Sequence, residues 1–218
     1  MTLRASDAWN PFMVFRFPTQ TVKDAFEVPK IGWAVGLVAI PVVLGALLNA
    51  VVGLPFDAIS FGADLVIEWL VWLVSAGILL ALAKMIGKGE NARFNGIATG
   101  LSLLRVLQIG FIVFFFIAVL LFPSVSTGAR QFQEGVVTLD EWNAIVAQAI
   151  QNITTVQLVS VLVLFLLSFA LLLLWLYAFY RVIEQSFQLT AFKHIVLGII
   201  LLIVFGVLSN ALYSIVPW

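Results

Sequence analysis

The sequence predicts an all-α integral membrane protein, a bundle of five helical spans with its N-terminus cytoplasmic and its C-terminus external. Three observations carry this. Of 218 residues, 63% are hydrophobic and only 10% charged, against roughly 45–50% apolar and about 25% charged in an ordinary soluble domain. The mean hydropathy is +1.15. The apolar residues fall into five runs, about 31–52, 65–83, 97–122, 156–180 and 195–216, each near the roughly 20 residues a helix needs to cross a bilayer. The cations, finally, gather on one side of those runs.

Residues 1–30 are too polar, and too broken by Pro11, Pro18 and Pro29, to hold the apolar centre of a secretory signal. They are expected to form a cytoplasmic interfacial segment. Thr19 or Thr21 fits the cap of a short helix with Val22, Ala25 and Phe26 on one side, ending near Pro29. Phe12, Phe15, Phe17 and Phe26 would dip into the headgroup layer while the cations face phosphate. The alternative is a capped tail packed on the bundle.

The first span is uncharged, and its Pro41 removes a backbone hydrogen bond, so a kink is expected there. The second span carries Glu68 and the third Arg105, while the fourth and fifth carry no charge. The outer loop, residues 123–155, holds Thr138 and Glu141 at capping-box spacing, followed by Leu139, Trp142, Ile145, Val146, Ala149 and Ile153 at helical spacing. An amphipathic helix on the outer surface is expected. Asn152-Ile153-Thr154 also matches the three-residue N-glycosylation pattern, a match this short arising readily by chance.

Five crossings place the termini on opposite sides. Ten Lys/Arg fall on the side of the N-terminus and one, Arg130, on the other, while the acidic residues split five to six. A bias confined to cations is the positive-inside signature. Trp33, Trp175 and Tyr180 would form the inner aromatic belt, and Trp69, Tyr213 and Trp218 the outer one.

Composition also limits the chemistry. Eleven Lys+Arg balance eleven Asp+Glu, which argues against nucleic acid as a partner. With no cysteine, thiol catalysis, cysteine-based zinc sites and iron–sulfur ligation are out of reach. His194, the single histidine, has no acid at metal-ligand spacing. The nucleotide, metalloprotease and hydrolase motifs are missing, and neither an enzyme nor a cofactor is expected.

Charges at membrane depth are costly, which makes them candidates for function. Asp64 and Glu68, four residues apart, share a helix face. They would hold a cation or relay protons; otherwise they sit in the first turn of an inward-running helix, favoured by its dipole and reached by water. Arg105, near the inner end of its span, would snorkel to the boundary, pair with Glu184, or meet a lipid phosphate. Asn49, Gln108, Ser168 and Asn210 read as helix–helix hydrogen bonds. The small pairs Gly32/Gly36, Ala46/Ala50 and Gly96/Gly100 predict close helix packing.

Three short segments resemble the Yip domain family (Ypt/Rab-interacting-protein-like membrane proteins), prokaryotic branch. Phe15-Arg16-Phe17-Pro18-Thr19, with Phe26 and Pro29, is similar to the family's proline-led approach to the first span. Gly87-Lys88-Gly89-Glu90-Asn91-Ala92-Arg93-Phe94 looks like its glycine–lysine–glycine turn before the third. Leu189-Thr190-Ala191-Phe192-Lys193 resembles its Leu-Ser/Thr-x-x-Lys element. Where the family commonly has Gly-Tyr and then proline in span three, this chain has Gly100-Leu101-Ser102 and Arg105, and His194 replaces a small residue. The resemblance implies five spans in residues 31–218, a cytoplasmic N-terminus, and a non-enzymatic protein of the prokaryotic cytoplasmic membrane that organises lipid or binds partners. Arg16, Lys88, Arg93, Arg105 and Lys193 are the expected contacts to anionic lipid, a protein partner or a second copy. The competing expectation is a small permease or channel subunit with Asp64, Glu68 and Arg105 on its path.

Overall fold

The computed structural model describes residues 10–51, 53, 56–86, 92–133, 135–187 and 191–215, and every regular element among them is helical. A 3-10 helix, Pro11–Phe15, precedes α1 (Pro18–Glu27), α2 (Ile31–Val51), α3 (Ala58–Met85), α4 (Phe94–Leu120), α5 (Pro123–Gln133), α6 (Leu139–Gln151), α7 (Thr155–Phe187) and α8 (Ala191–Ile215). Four of them, α2, α3, α4 and α7, are long and apolar enough to cross a membrane. Lys88, in the expected turn, lies outside the described residues, as do residues 188–190 and the side chain of His194.

Helix α4 forms the centre. Every residue from Gly96 to Leu104 is buried, followed by Val106 and Leu107, and α1, α2, α3 and α7 pack around it. The glycines explain how α1 comes so close. A Cβ on Gly100 would fall 2.8 Å from Cε2 of Phe26, and one on Gly96 would fall 3.3 Å from the Phe26 Cα. The Gly96/Gly100 pair is thus a seat for α1, with Val22 and Ala25 buried alongside. This corrects the placement of Phe26 in the headgroup layer; Phe12, Met13, Phe15 and Phe17 do stay exposed. No threonine caps α1. Pro18 starts it instead, since its fixed φ suits a first helical position that needs no N–H. Thr19 shares a hydrogen bond with Tyr177 of α7 at 2.9 Å, and Thr21 donates to the Phe17 carbonyl at 2.8 Å.

Tryptophans tie α3 to its neighbours. Trp72 donates to the Ala98 carbonyl of α4 at 2.8 Å and Trp69 to the Val35 carbonyl of α2 at 3.2 Å. Trp175 stacks on Phe179 at 5.6 Å between ring centroids, and its buried indole nitrogen has no hydrogen-bond partner among the described residues. Trp69 and Trp175 therefore pack between helices.

The capping box of α6 is present, with Thr138 and Glu141 satisfying each other's backbone N–H. A second one starts α7, where Gln157 accepts from the Thr154 N–H at 2.9 Å and donates to the Leu121 carbonyl at 2.7 Å. Helix α5 departs from the expected loop: Pro123 stands at its first position, and its Gly128 lets Trp142 and Ile145 of α6 approach closely. Helix α7 leaves Leu162, Phe165, Leu166 and Phe169 exposed. Water would disfavour such a surface, and the hydrocarbon of a bilayer suits it.

Candidate functional site

Helix α3 begins seven residues before the apolar run, because Asp57 caps it. The Asp57 carboxylate accepts from the N–H groups of Ile59 (3.0 Å) and Ser60 (3.3 Å) and from the Ser60 hydroxyl. These three hydrogen bonds hold its carboxyl below the usual aspartate range, that from the Ser60 hydroxyl most strongly. From this cap Asp57, Ser60, Asp64 and Glu68 follow at spacings of three and four, which is one face of a helix.

That face lines a cleft of about 360 Å³ against the second half of α2, whose Pro41, Gly45 and Asn49 form the opposite wall. Helix α2 runs unbroken through Pro41. The proline has no N–H to offer the Leu37 carbonyl, and Gly45 adds no side chain, so this stretch of α2 leaves room beside α3.

Glu68 lines the cleft and forms an ion pair with Arg105 of α4 at 2.5 Å, with the side chains only 18% and 16% exposed. Arg105 also donates to Gln108 at 2.8 Å. Glu68 lies ten residues into α3 and Arg105 eleven into α4, so the pair sits about 15–17 Å along each axis. That places it well inside both helices. Arg105 consequently neither snorkels at a helix end nor pairs with Glu184, which is taken by Arg181 of its own helix. Glu68 likewise lies beyond the first turn of α3. Asp64, one turn from Glu68, has a buried Oδ1 with no hydrogen-bond partner among the described residues.

The other expected contacts lie apart from this site. Arg16 stacks over Phe17, 5.0 Å from the ring centroid, and Arg93 and Lys193 are exposed at the starts of α4 and α8. Asn49 is exposed along the cleft, and Gln108 bonds within its own helix. Asp57 and Ser60 were hidden from a reading by apolar runs because they precede one. Their three-and-four spacing with Asp64 and Glu68 was the available signal.

Chemically, the cleft joins a polar helix start to a carboxylate–guanidinium pair between apolar helices. Two carboxylates one turn apart can share or pass a proton, and the guanidinium of Arg105 stands beside one of them. Among the described residues no cluster of His, Asp and Glu is arranged to hold a metal ion. No family model matches the chain, and no curated protein or solved structure is similar to it.

Proposed function

We propose that the chain is a five-span membrane protein, with α8 as the fifth crossing and the N-terminus cytoplasmic, whose polar cleft takes up protons or small cations from the outer side as part of a small permease or channel. The observation that carries this is the Glu68–Arg105 pair at the foot of a cleft lined by Asp57 and Asp64. Ionisable groups between apolar helices are costly and tend to mark ion or proton paths. The lopsided cation count supports the orientation, and α8, at 25 residues, has the length for a crossing. In proteoliposomes carrying an internal pH dye and an imposed potassium or sodium gradient, wild type is expected to pass protons or the cation. Glu68→Gln and Arg105→Gln are expected to abolish the flux. Wild-type vesicles no leakier than empty ones contradict the reading.

A second reading has its own observation. The exposed ridge of Phe12, Met13, Phe15 and Phe17 beside Arg16 suits a Yip-like, non-enzymatic organiser of the prokaryotic cytoplasmic membrane that engages anionic lipid, a protein partner or a second copy. Reconstituted chain is then expected to cluster or reshape vesicles containing phosphatidylglycerol, and a variant with serine at Phe12, Phe15 and Phe17 to lose this. Vesicles indistinguishable from protein-free ones count against it.

A further inference from the structure

The two glycine pairs of the bundle differ in kind. Gly96 and Gly100 are filled by Phe26, whereas a Cβ on Gly32 or Gly36 would meet nothing within 4 Å. The Gly32/Gly36 face of α2 forms one wall of a groove of about 800 Å³, closed on the other side by Pro11 and Phe12 of the 3-10 helix and by its cap, Asn10. The groove continues along α2 to Leu37 and Ile40, and Lys30 stands at its mouth.

The mouth favours an anion. No carboxylate pairs with Lys30 among the described residues. The first turn of α2 contains no acidic residue, so the positive end of the helix dipole lies beside the lysine uncompensated. Asn10 uses its carboxamide oxygen to cap the 3-10 helix, which leaves its NH2 group as a further donor at the groove. Past this mouth the walls are apolar and lie along a helix suited to the bilayer.

We propose that this groove binds one anionic phospholipid, its phosphate against Lys30 and the start of α2 and one acyl chain laid over Gly32 and Gly36 beneath Phe12. A second copy of the chain fits less well. A two-fold partner meeting this face would bring its own Lys30 toward the first, and like charges at close range disfavour that contact. The lipid site shares Phe12 and anionic lipid with the second reading above and deepens it, but it can be tested apart from both functions, since binding one lipid requires neither ion flux nor vesicle reshaping.

The test uses the full chain in detergent micelles, titrated with brominated phosphatidylglycerol or brominated phosphatidylcholine while tryptophan fluorescence is read. The Trp33→Phe difference isolates the Trp33 signal. Wild type is expected to bind the anionic lipid about fivefold more tightly than the zwitterionic one, the scale of one cation at a lipid surface. Lys30→Gln is expected to erase that preference. Gly36→Leu, which adds bulk where nothing is in contact, is expected to lose quenching by both lipids with the helical circular dichroism unchanged. Equal affinity of wild type for the two lipids overturns the proposal. So does quenching that survives Gly36→Leu, or disulfide cross-linking of a Gly36→Cys variant into dimers, which would mean that a second copy fills the groove. Should Gly36→Leu fail to fold, the Lys30→Gln comparison decides alone.

Discussion

Glu68 and Arg105 are mostly buried between helices that otherwise expose apolar side chains to lipid. Removing one partner of such a pair leaves a charge without its counter-ion, which costs about 3–5 kcal/mol. Arg105→Gln and Glu68→Gln are therefore each expected to lower the thermal midpoint in detergent markedly. The double change Glu68→Gln/Arg105→Gln is expected to lie closer to wild type than either single one; double-mutant melting checks this. Steric predictions are sharper still. Gly100→Ala drives a methyl into Phe26, an overpacking expected to cost about 1–3 kcal/mol. Gly36→Ala meets nothing and is expected to be close to neutral. Both glycine pairs read alike in the sequence as sites of close packing, because the same spacing serves a filled seat and an empty groove. Only the position of Phe26, 70 residues before Gly96 in the chain, separates them.

Capping decides where the elements begin, and here sequence and structure part most often. The apolar run of the second span starts at Leu65, yet α3 starts at Ala58, since Asp57 supplies the cap and the polar residues before Leu65 face the cleft. Helix α7 continues past Tyr180 to Phe187, where Val182, Ile183, Ser186 and Phe187 are buried and Arg181 pairs with Glu184. Pro123 reads as the end of a span, although a proline serves equally at the first turn of the helix that follows. Helix α6, by contrast, was legible from Thr138 and Glu141, although it ends at Gln151, before the expected Ile153. Its backbone and hydroxyl hydrogen bonds from Thr138 hold the Glu141 carboxyl below the usual glutamate range. A carboxyl with a lowered folded pKa contributes stability above its unfolded value and loses it as pH falls through the lowered one. Amide exchange in α6 is accordingly expected to be slow at neutral pH and to quicken under acid beyond the intrinsic rate change. Glu141→Gln, which keeps an acceptor without titrating, is expected to flatten that response.

At the scale of the molecule, apolar run length identified the helices that matter, since hydrocarbon tolerates only internally hydrogen-bonded backbone. The site was legible only in part. Asp64, Glu68 and Arg105 stood out as charges in apolar surroundings, but their partners depend on how α2, α3 and α4 pack, which run length does not encode. A polar cleft reaches from the start of α3 to the Glu68–Arg105 pair, and we propose that it opens to the outer side. The absence of cysteine makes single-cysteine labelling clean. Cysteines at Ser60, Asp64 and Gly45 are expected to react with an impermeant maleimide added outside right-side-out vesicles, while Val66, on the exposed apolar face of α3, stays unlabelled and Arg93→Cys reacts only from within. If positions 60 and 64 stay protected, or label no faster than position 66, α3 has no aqueous cleft and the proposed path does not exist.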